Sequence, residues 1–332
     1  MRPAALLGSG LCWPRRAVHA AEIEAACGLA AGSVVARTGV ETRHFANAAA
    51  GETAATLGAG AARRALDAAG LRFGDVDLLI GAAGTVQQPI PCTAALIQRA
   101  LGEGESGVPA FDVNCTCLSF VAALDLAASL IAAGSHRRVL VVSSEVGSPG
   151  LDWRDPETSA LFGDGAVAFV VGPADTPGQG IVHARLATYG AGADLCRIEG
   201  GGSALHASAY HKENRERFLF QMDGPAIHRE ASRRLPPFVK NFLDEAETSL
   251  DAIDIVVPHQ AGRLPLEILR RKLGIARERL IVTLPAHGNL IAASIPTALH
   301  IAIESGRVRR GQRALLLGTS AGFSMGALLF QY

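Results

Sequence analysis

The sequence lacks an excess of charge of either sign. Lysine and arginine together number 31, and aspartate and glutamate together also number 31. Proteins that bind nucleic acid usually carry a basic excess, and solvated acidic tails carry the opposite, so the balance argues against both. Small molecules or a carrier protein are the partners that this composition favours.

Long apolar runs and regularly spaced cysteines are lacking as well. No apolar stretch reaches the ~18 residues of a membrane span, and the first residues do not resemble an export signal. The six cysteines are scattered along the chain without metal-ligand spacing, so we expect neither a disulfide framework nor a metal site. A nucleotide loop is not expected either, because Gly8-Ser9-Gly10 has no third glycine in register. The predicted location is the reducing cytosol.

The sequence does contain a repeated unit of helix and strand. Residues 65–69 (ALDAA) and 77–80 (DLLI) are echoed by residues 242–246 (FLDEA) and 254–257 (DIVV). A second pair of segments further along repeats at nearly the same offset, which indicates duplication. The alternative is that any two helix–strand units in an α/β protein look alike. Two matches in the same order argue against that alternative more strongly than a single match does.

The apolar segments also predict the class of fold. The strands are continuous runs of valine, leucine and isoleucine, as in sheets that are covered on both faces, and they alternate with alanine-rich helices. With 49% hydrophobic residues in 332, the chain can bury a large core. We predict two similar α/β halves, residues 1–172 and residues 173–332.

Cys117 lies at the start of a predicted helix. The residues that follow it are apolar almost all round until Gly134, which is typical of a buried helix. A thiol at a helix N-terminus meets unpaired N–H groups and the positive end of the helix dipole, which stabilise the thiolate that attacks thioesters. The alternative is that Cys115 and Cys117 are small apolar residues at a strand–helix junction.

Two distant polar residues are candidates for the same site. His259 follows an apolar strand and Pro258, at the end of the strand where open α/β sheets place their ligands. Asn289 lies just before an alanine-rich segment, where it is expected to begin a helix. A structural histidine and an ordinary helix N-cap are the alternative roles.

Together these segments resemble the β-ketoacyl-[acyl-carrier-protein] synthase III family of the thiolase superfamily. The motifs that carry the resemblance run in order along nearly the whole chain: residues 37–43 (RTGVETR), 111–114 (FDVN) with Cys117, 161–166 (LFGDGA), 257–261 (VPHQA), 287–289 (HGN) and 292–296 (AASIP). The resemblance implies a thiolase-like α/β fold, in which two duplicated halves form a five-layered αβαβα sandwich. The first half would carry the cysteine, and the second the histidine and asparagine.

The resemblance also implies a reaction. Cys117, rather than Cys115, is the nucleophile and is acylated by a thioester primer. His259 and Asn289 hold the thioester carbonyl of a malonyl donor, because a neutral imidazole N–H and an amide are suitable donors to an enolate oxygen. The backbone N–H of Cys117 and one in the turn at Ser320 and Ala321 would form the oxyanion hole of the acyl-enzyme.

Residues around this centre depart from the family pattern. The tryptophan and arginine that usually hold coenzyme A fall at Ser33 and near Pro156, and the usual Asn-x-Arg after the histidine motif is replaced by Gly262-Arg263-Leu264. Arg37 is kept. Arg37 and Arg263 are therefore the expected substrate contacts, and the substrates are thioesters of either coenzyme A or carrier-protein phosphopantetheine. No cofactor or metal is implied.

The acyl pocket is expected to be roomy, because Ile90 replaces an aromatic residue that often crosses the dimer interface. We predict a homodimeric condensing enzyme of fatty acid or polyketide-type biosynthesis that works with acyl carrier protein. Two alternatives stay open: an acyltransferase or thioester hydrolase that uses the same acyl-cysteine, and a non-catalytic partner subunit of another condensing enzyme.

Overall fold

The computed structural model describes residues 1–332 except for the side chain of residue 157. The strands are β1 (Ala5–Cys12), β2 (Arg16–His19), β3 (Thr42–Phe45), β4 (Leu78–Gly81), β5 (Ala110–Asp112), β6 (Val139–Glu145), β7 (Gly165–Gly172), β8 (Gly180–Thr188), β9 (Cys196–Arg197), β10 (Gln221–Met222), β11 (Ile255–Pro258), β12 (Arg313–Ser320) and β13 (Ser324–Gln331). The helices are α1 (Ala20–Cys27), α2 (Ser33–Thr38), α3 (Ala54–Ala69), α4 (Thr93–Leu101), α5 (Ser119–Ala132), α6 (Pro156–Ser159), α7 (Gly224–Glu245), α8 (Arg263–Lys272), α9 (Leu284–His287) and α10 (Ser294–Glu304).

Two large sheets repeat one arrangement of strands. The first has the order β1-β7-β6-β4-β5, and the second has the order β11-β12-β13-β8. In the first sheet, β4 is parallel to β5 and β6, whereas β7 is antiparallel to β6 and β1. In the second, β11 is parallel to β12, and β13 is antiparallel to β12 and β8. An isolated parallel bridge between Val256 and Leu280 stands where the first sheet has β5.

The central strands are apolar on both faces because each sheet is covered on both sides. Along β6, Val139 and Val141 point into the core between the sheets, whereas Leu140 and Val142 point to the opposite face, where α3 and α4 pack. All four side chains are fully buried. Each such side chain stabilises the fold by roughly 1.5–3 kcal/mol.

The order of the layers follows from which face of each sheet a helix covers. Helices α3 and α4 cover the outer face of the first sheet, α5 and α10 lie between the two sheets, and α7 and α8 cover the outer face of the second. The order of helix and sheet layers confirms the predicted α/β thiolase-like sandwich. Strand β7 ends at Gly172 and β8 begins at Gly180, and the predicted division of the chain after residue 172 stays a prediction.

Glycine is required where α3 crosses β1. A Cβ added to Gly8 would lie 2.5 Å from the carbonyl oxygen of Ala65, and one added to Gly10 would lie 2.5 Å from Cβ of Arg64. The helix therefore approaches the strand at backbone distance. None of the helices in the described part of the chain is long and apolar enough to cross a membrane, and the six cysteines are free thiols.

Candidate active site

Cys117, His259 and Asn289 line one cavity of about 520 Å³. Each lies where a regular element begins or ends: Cys117 in a short 3-10 turn before α5, His259 after β11, and Asn289 between α9 and α10. Among the described residues of the cavity wall, Cys115 is not included; it packs against the core between the sheets. The fold thus brings together the three predicted residues and separates the two neighbouring cysteines.

A strained turn presents the Cys117 thiol. Thr116 has a φ of 47°, in the left-handed region that favours glycine, which costs of the order of 1 kcal/mol for a β-branched residue. Beyond this turn the chain enters α5, as predicted. The backbone N–H of Ala321 is directed at the Cys117 sulfur. A turn between β12 and β13 therefore faces the nucleophile.

Ser320 holds the backbone on either side of the nucleophile. Its hydroxyl oxygen accepts a hydrogen bond from the Cys117 N–H at 3.0 Å and donates one to the Cys115 carbonyl at 2.9 Å. The N–H that was predicted to serve the oxyanion hole is thus engaged by a side chain. Sequence reasoning used only the backbone of Ser320 and missed this role of the hydroxyl.

The thiol is protonated in the resting structure. Burial raises the pKa of Cys117 to about 12, and negative charge on Cys196 or Glu145 would raise it further, whereas hydrogen bonds from Ser320 and Ala321 act in the opposite direction. Burial therefore opposes the stabilisation of the thiolate that the helix N-terminus was predicted to give. The physical reason is that loss of hydration outweighs the nearby N–H groups.

His259 is buried and neutral. Its side chain is 7% exposed, and its backbone N–H continues the sheet by donating to the Leu317 carbonyl at 2.8 Å. Burial lowers the pKa of His259 to about 4, so the imidazole carries one N–H at neutral pH. Within the described chain, Nδ1 has no hydrogen-bond partner.

Gly318 permits the close approach of the histidine to the nucleophile turn. A Cβ added at this position would lie 2.9 Å from Cβ of His259 and 3.2 Å from Cδ2 of Leu118, the neighbour of Cys117. Any larger residue would push the two apart. The glycine therefore sets the spacing between the two halves of the site.

Asn289 is fixed by both its backbone and its amide oxygen. The backbone N–H donates to the Leu161 carbonyl at 2.8 Å, and the backbone carbonyl accepts from Gly163 N–H at 3.1 Å. The side-chain oxygen accepts from Ile291 N–H at 2.9 Å and from the Ser294 hydroxyl at 3.3 Å. This network assigns the orientation of the amide and leaves its nitrogen as a donor to the cavity.

Gln260 connects the histidine strand to the segment that precedes Asn289. Its amide oxygen accepts from the N–H groups of Thr283 and Leu284 at 2.9 and 3.1 Å, and its nitrogen donates to the carbonyls of Pro258 and Ile281 at 2.9 and 3.2 Å. The side chain is fully buried. Gln260 lies in the VPHQA motif, so this motif holds a residue that connects two segments as well as the candidate catalytic His259.

Glu145, at the end of β6, connects the loop after β4 to the loop after Asn289. Its carboxylate accepts from the N–H groups of Gly84, Thr85 and Ala292 and from the Thr85 hydroxyl. Burial raises the pKa of Glu145 to about 7 despite these donors. No motif in the sequence indicated that the end of β6 would meet the loop after Asn289.

A stack of rings supports the segment before Asn289. The indole of Trp13 lies 4.3 Å from the ring of His287 at an interplanar angle of 7°, and 5.5 Å from the ring of His44. Burial, together with the charge that His44 would carry, lowers the pKa of His287 to about 4. Gly163 lies beside the same segment, since an added Cβ would be 2.4 Å from the His287 carbonyl oxygen.

The predicted substrate contacts lie elsewhere. Among the described residues that line the cavity, Arg37, Ile90 and Arg263 do not occur. The Arg263 guanidinium donates to the Ala36 carbonyl of α2, and Ile90 is 84% exposed. Cys196, which sequence reasoning did not single out, does line the cavity, and burial raises its pKa to about 11.

Comparison with known proteins gives one family. Residues 111–190 match 3-oxoacyl-[acyl-carrier-protein (ACP)] synthase III, and residues 243–332 match its C-terminal part. The β-ketoacyl-[acyl-carrier-protein] synthase III of Neisseria meningitidis serogroup C is 40% identical over 301 residues, which cover 90% of each chain.

Solved structures agree with this match. The 3-oxoacyl-[acyl-carrier-protein] synthase III of Aquifex aeolicus VF5 is similar with a TM-score of 0.89 and 32% identity, over 99% of this chain and 100% of the other. The priming β-ketosynthase of the R1128 polyketide pathway has a TM-score of 0.89 and 30% identity, over 99% and 96%. The resemblance read from the sequence is confirmed: the chain belongs to the 3-oxoacyl-[acyl-carrier-protein] synthase III family of condensing enzymes.

Proposed function

We propose that the protein joins an acyl primer to a malonyl thioester by decarboxylative condensation, giving a 3-oxoacyl thioester. The observation that carries the proposal is the convergence of Cys117, His259 and Asn289 on one largely apolar cavity. A nucleophile and two uncharged donors are the parts that the reaction needs. A non-catalytic partner subunit would have no chemical use for all three.

In the first half-reaction, the Cys117 sulfur attacks the carbonyl carbon of the primer thioester. The bond from that carbon to the carrier sulfur breaks, and the proton of the thiol leaves with the carrier thiol. Charge on the carbonyl oxygen requires N–H donors. Ala321 N–H already faces the sulfur, and Cys117 N–H becomes a second donor when the Ser320 hydroxyl gives way.

In the second half-reaction, His259 and Asn289 donate hydrogen bonds to the thioester oxygen of the malonyl group. The bond to the carboxylate breaks, carbon dioxide leaves, and the electron pair forms an enolate. The enolate carbon then attacks the acyl carbonyl, the bond to the Cys117 sulfur breaks, and the thiolate takes up a proton. Neutral donors suit this step because neither must lose a proton.

We also propose a homodimer. Strand β5 is the end strand of the first sheet, and near it the apolar side chains of Phe111, Ile90 and Val86 are 40%, 84% and 57% exposed. Exposed apolar side chains clustered at a strand edge are typical of an interface. Burying Ile90 there would let it meet the partner's acyl pocket, as the sequence predicts.

The thioesters would arrive on coenzyme A or on acyl carrier protein, and both carriers bear phosphate. Arg37 and Arg263 remain our proposed contacts. The last turn of α8 adds Arg270, Arg271 and Lys272, of which Lys272 lines the cavity. Cations beside a cavity attract an anionic carrier.

The reaction is tested by incubating the protein with malonyl carrier protein and a panel of acyl thioesters, measuring carbon dioxide and products by mass spectrometry. We expect one carbon dioxide per 3-oxoacyl thioester, and no product from the Cys117→Ala variant. Formation of an acyl ester, amide or free acid without carbon dioxide would instead identify an acyltransferase or hydrolase. Failure of every thioester to modify Cys117 would favour a non-catalytic subunit.

A further inference from the structure

Cys196 is a second thiol in the cavity of Cys117, and the proposed condensation does not use it. Both residues line the cavity, and both are partly exposed free thiols. Cys115 is closer to Cys117 in the sequence, but it packs against the core between the sheets. The thiol that shares the cavity with the nucleophile therefore comes from β9, far along the chain.

The segment that carries Cys196 packs against the hairpin turn at the nucleophile. A Cβ added to Gly192 would lie 2.7 Å from Cβ of Phe323 and 3.4 Å from Cδ1 of Leu195. Leu195 directly precedes Cys196. The turn that ends at Phe323 also directs a backbone N–H at the Cys117 sulfur. One turn thus contacts both the nucleophile and the segment before Cys196.

The two sulfurs also lie close enough to interact electrostatically. Burial is the main cause of the raised pKa of Cys117, and negative charge on Cys196 is the next cause, ahead of the charge on Glu145. The effect of one charge on another falls with distance. Packing and electrostatics therefore both place Cys196 beside the nucleophile.

Cys196 lies on a part of the structure that can move at little cost. Strands β9 and β10 form a two-stranded sheet of two residues each, in which Cys196 stands opposite Met222. An isolated two-stranded ribbon is marginally stable. A disulfide needs Cβ atoms about 3.5–4.5 Å apart. A shift of β9 can supply that approach, while Ser320 holds the nucleophile turn in place.

We propose that Cys117 and Cys196 are a redox-active pair, which a hydroperoxide converts into a disulfide that closes the site. The Cys117 sulfur attacks one oxygen of hydrogen peroxide, the O–O bond breaks, and a sulfenic acid and one water form. The Cys196 sulfur then attacks the Cys117 sulfur, the S–O bond breaks, and a second water leaves with the proton of the thiol. The two thiols lose two electrons and two protons, and hydrogen peroxide is reduced to two waters.

The pair protects the nucleophile against irreversible oxidation. A sulfenic acid that meets more peroxide becomes a sulfinic acid, which thiols do not reduce, whereas a disulfide returns to two thiols. Burial raises the pKa of Cys117 to about 12 and that of Cys196 to about 11, so thiolate is scarce and the first step is slow at neutral pH. The second step joins two groups of one cavity and needs no encounter in solution. The disulfide should therefore form before the sulfinic acid.

The test treats reduced wild-type protein with hydrogen peroxide at pH 8 and maps the products by mass spectrometry. We expect a protein lighter by about two mass units, since two hydrogen atoms are lost, and one peptide pair that joins Cys117 to Cys196. Dithiothreitol should restore both thiols and their labelling by iodoacetamide. A disulfide that joins Cys117 to Cys115, or a Cys117 sulfinic acid as the main product, would overturn the proposal.

Two variants show whether Cys196 protects the nucleophile. In Cys196→Ser the sulfenic acid lacks its partner, so the fraction of Cys117 that dithiothreitol recovers after long exposure should fall by roughly tenfold or more. Cys92→Ser removes a partly exposed thiol at the start of α4 and should match wild type. Equal recovery in wild type and folded Cys196→Ser would also overturn the proposal.

These measurements are independent of the proposed condensation, because none of them uses a thioester. A Cys117–Cys196 disulfide in the wild-type protein would support the redox-active pair even if the protein never released carbon dioxide. The cross-linked peptide is measured on the wild-type protein, so this result does not depend on the folding of a variant.

Discussion

The burial of His259 predicts the pH range in which the proposed malonyl decarboxylation can proceed. Because burial lowers the pKa of His259 to about 4, only about 3% of the imidazole is protonated at pH 5.5. With an ordinary pKa near 6.5, about 90% would be protonated at that pH. The two cases predict very different rates for a step in which the neutral imidazole is assumed to be the active form.

The Cys117→Ala variant isolates this step, since it cannot be acylated. We expect its release of carbon dioxide from malonyl carrier protein to be nearly constant from pH 8 to pH 5.5 and to fall only near pH 4. Circular dichroism at each pH separates loss of activity from unfolding. A rate that falls with a midpoint near pH 6.5 would refute the reasoning, because it would show that His259 is protonated as easily as an exposed histidine.

The remaining predictions concern the same site. Asn289→Ala should slow carbon dioxide release by roughly 10²-fold or more while Cys117 is still acylated, as measured by intact mass; equal loss of both steps would contradict separate roles. Because the pKa of Cys117 is about 12, its alkylation by iodoacetamide should rise about tenfold per pH unit from pH 7 to pH 10; a plateau near pH 8 would show a stabilised thiolate. Gly163→Ala should destabilise the fold by roughly 1–3 kcal/mol, because the new Cβ would meet the His287 carbonyl; denaturant unfolding measures this, and an unchanged midpoint would argue against the contact. His259 should also contribute to the pH dependence of stability. Its contribution to the free energy of unfolding is complete above pH 6.5 and is lost as the pH falls towards 4, with about 2 kcal/mol lost by pH 5. This part of the pH dependence should be absent in His259→Gln.

The sequence predicts the layers of this fold well because the residues of each strand alone indicate which of its faces are buried. Runs such as Val139 to Val142 are apolar at every position, and only a sheet with two covered faces needs that. The three candidate catalytic residues were predicted for a different reason. Cys117, His259 and Asn289 each lie in a short motif at the end of an element, and ends of elements meet at one edge of a sheet.

Features that depend on distant contacts were not predictable in this way. The Ser320 hydroxyl reaches the Cys117 N–H from the other half of the chain, and Cys196 enters the cavity from the short strand β9. The contribution of α7 and α8 to the cavity wall depends on how the two helices pack, and both have ordinary amphipathic sequences.

The same burial acts in opposite directions on Cys117 and His259, and the combination suits the proposed reaction. It raises the pKa of Cys117 and lowers that of His259, so the free site holds a thiol and an imidazole rather than an ion pair. A malonyl carboxylate entering this cavity exchanges water for mainly apolar walls, which disfavours the charged group that must leave. In the proposed reaction, the charge that forms instead on the thioester oxygen would meet the N–H donors of His259 and Asn289. The apolar cavity and the neutral donors therefore favour loss of carbon dioxide together, and a charged residue placed beside either donor would weaken both effects.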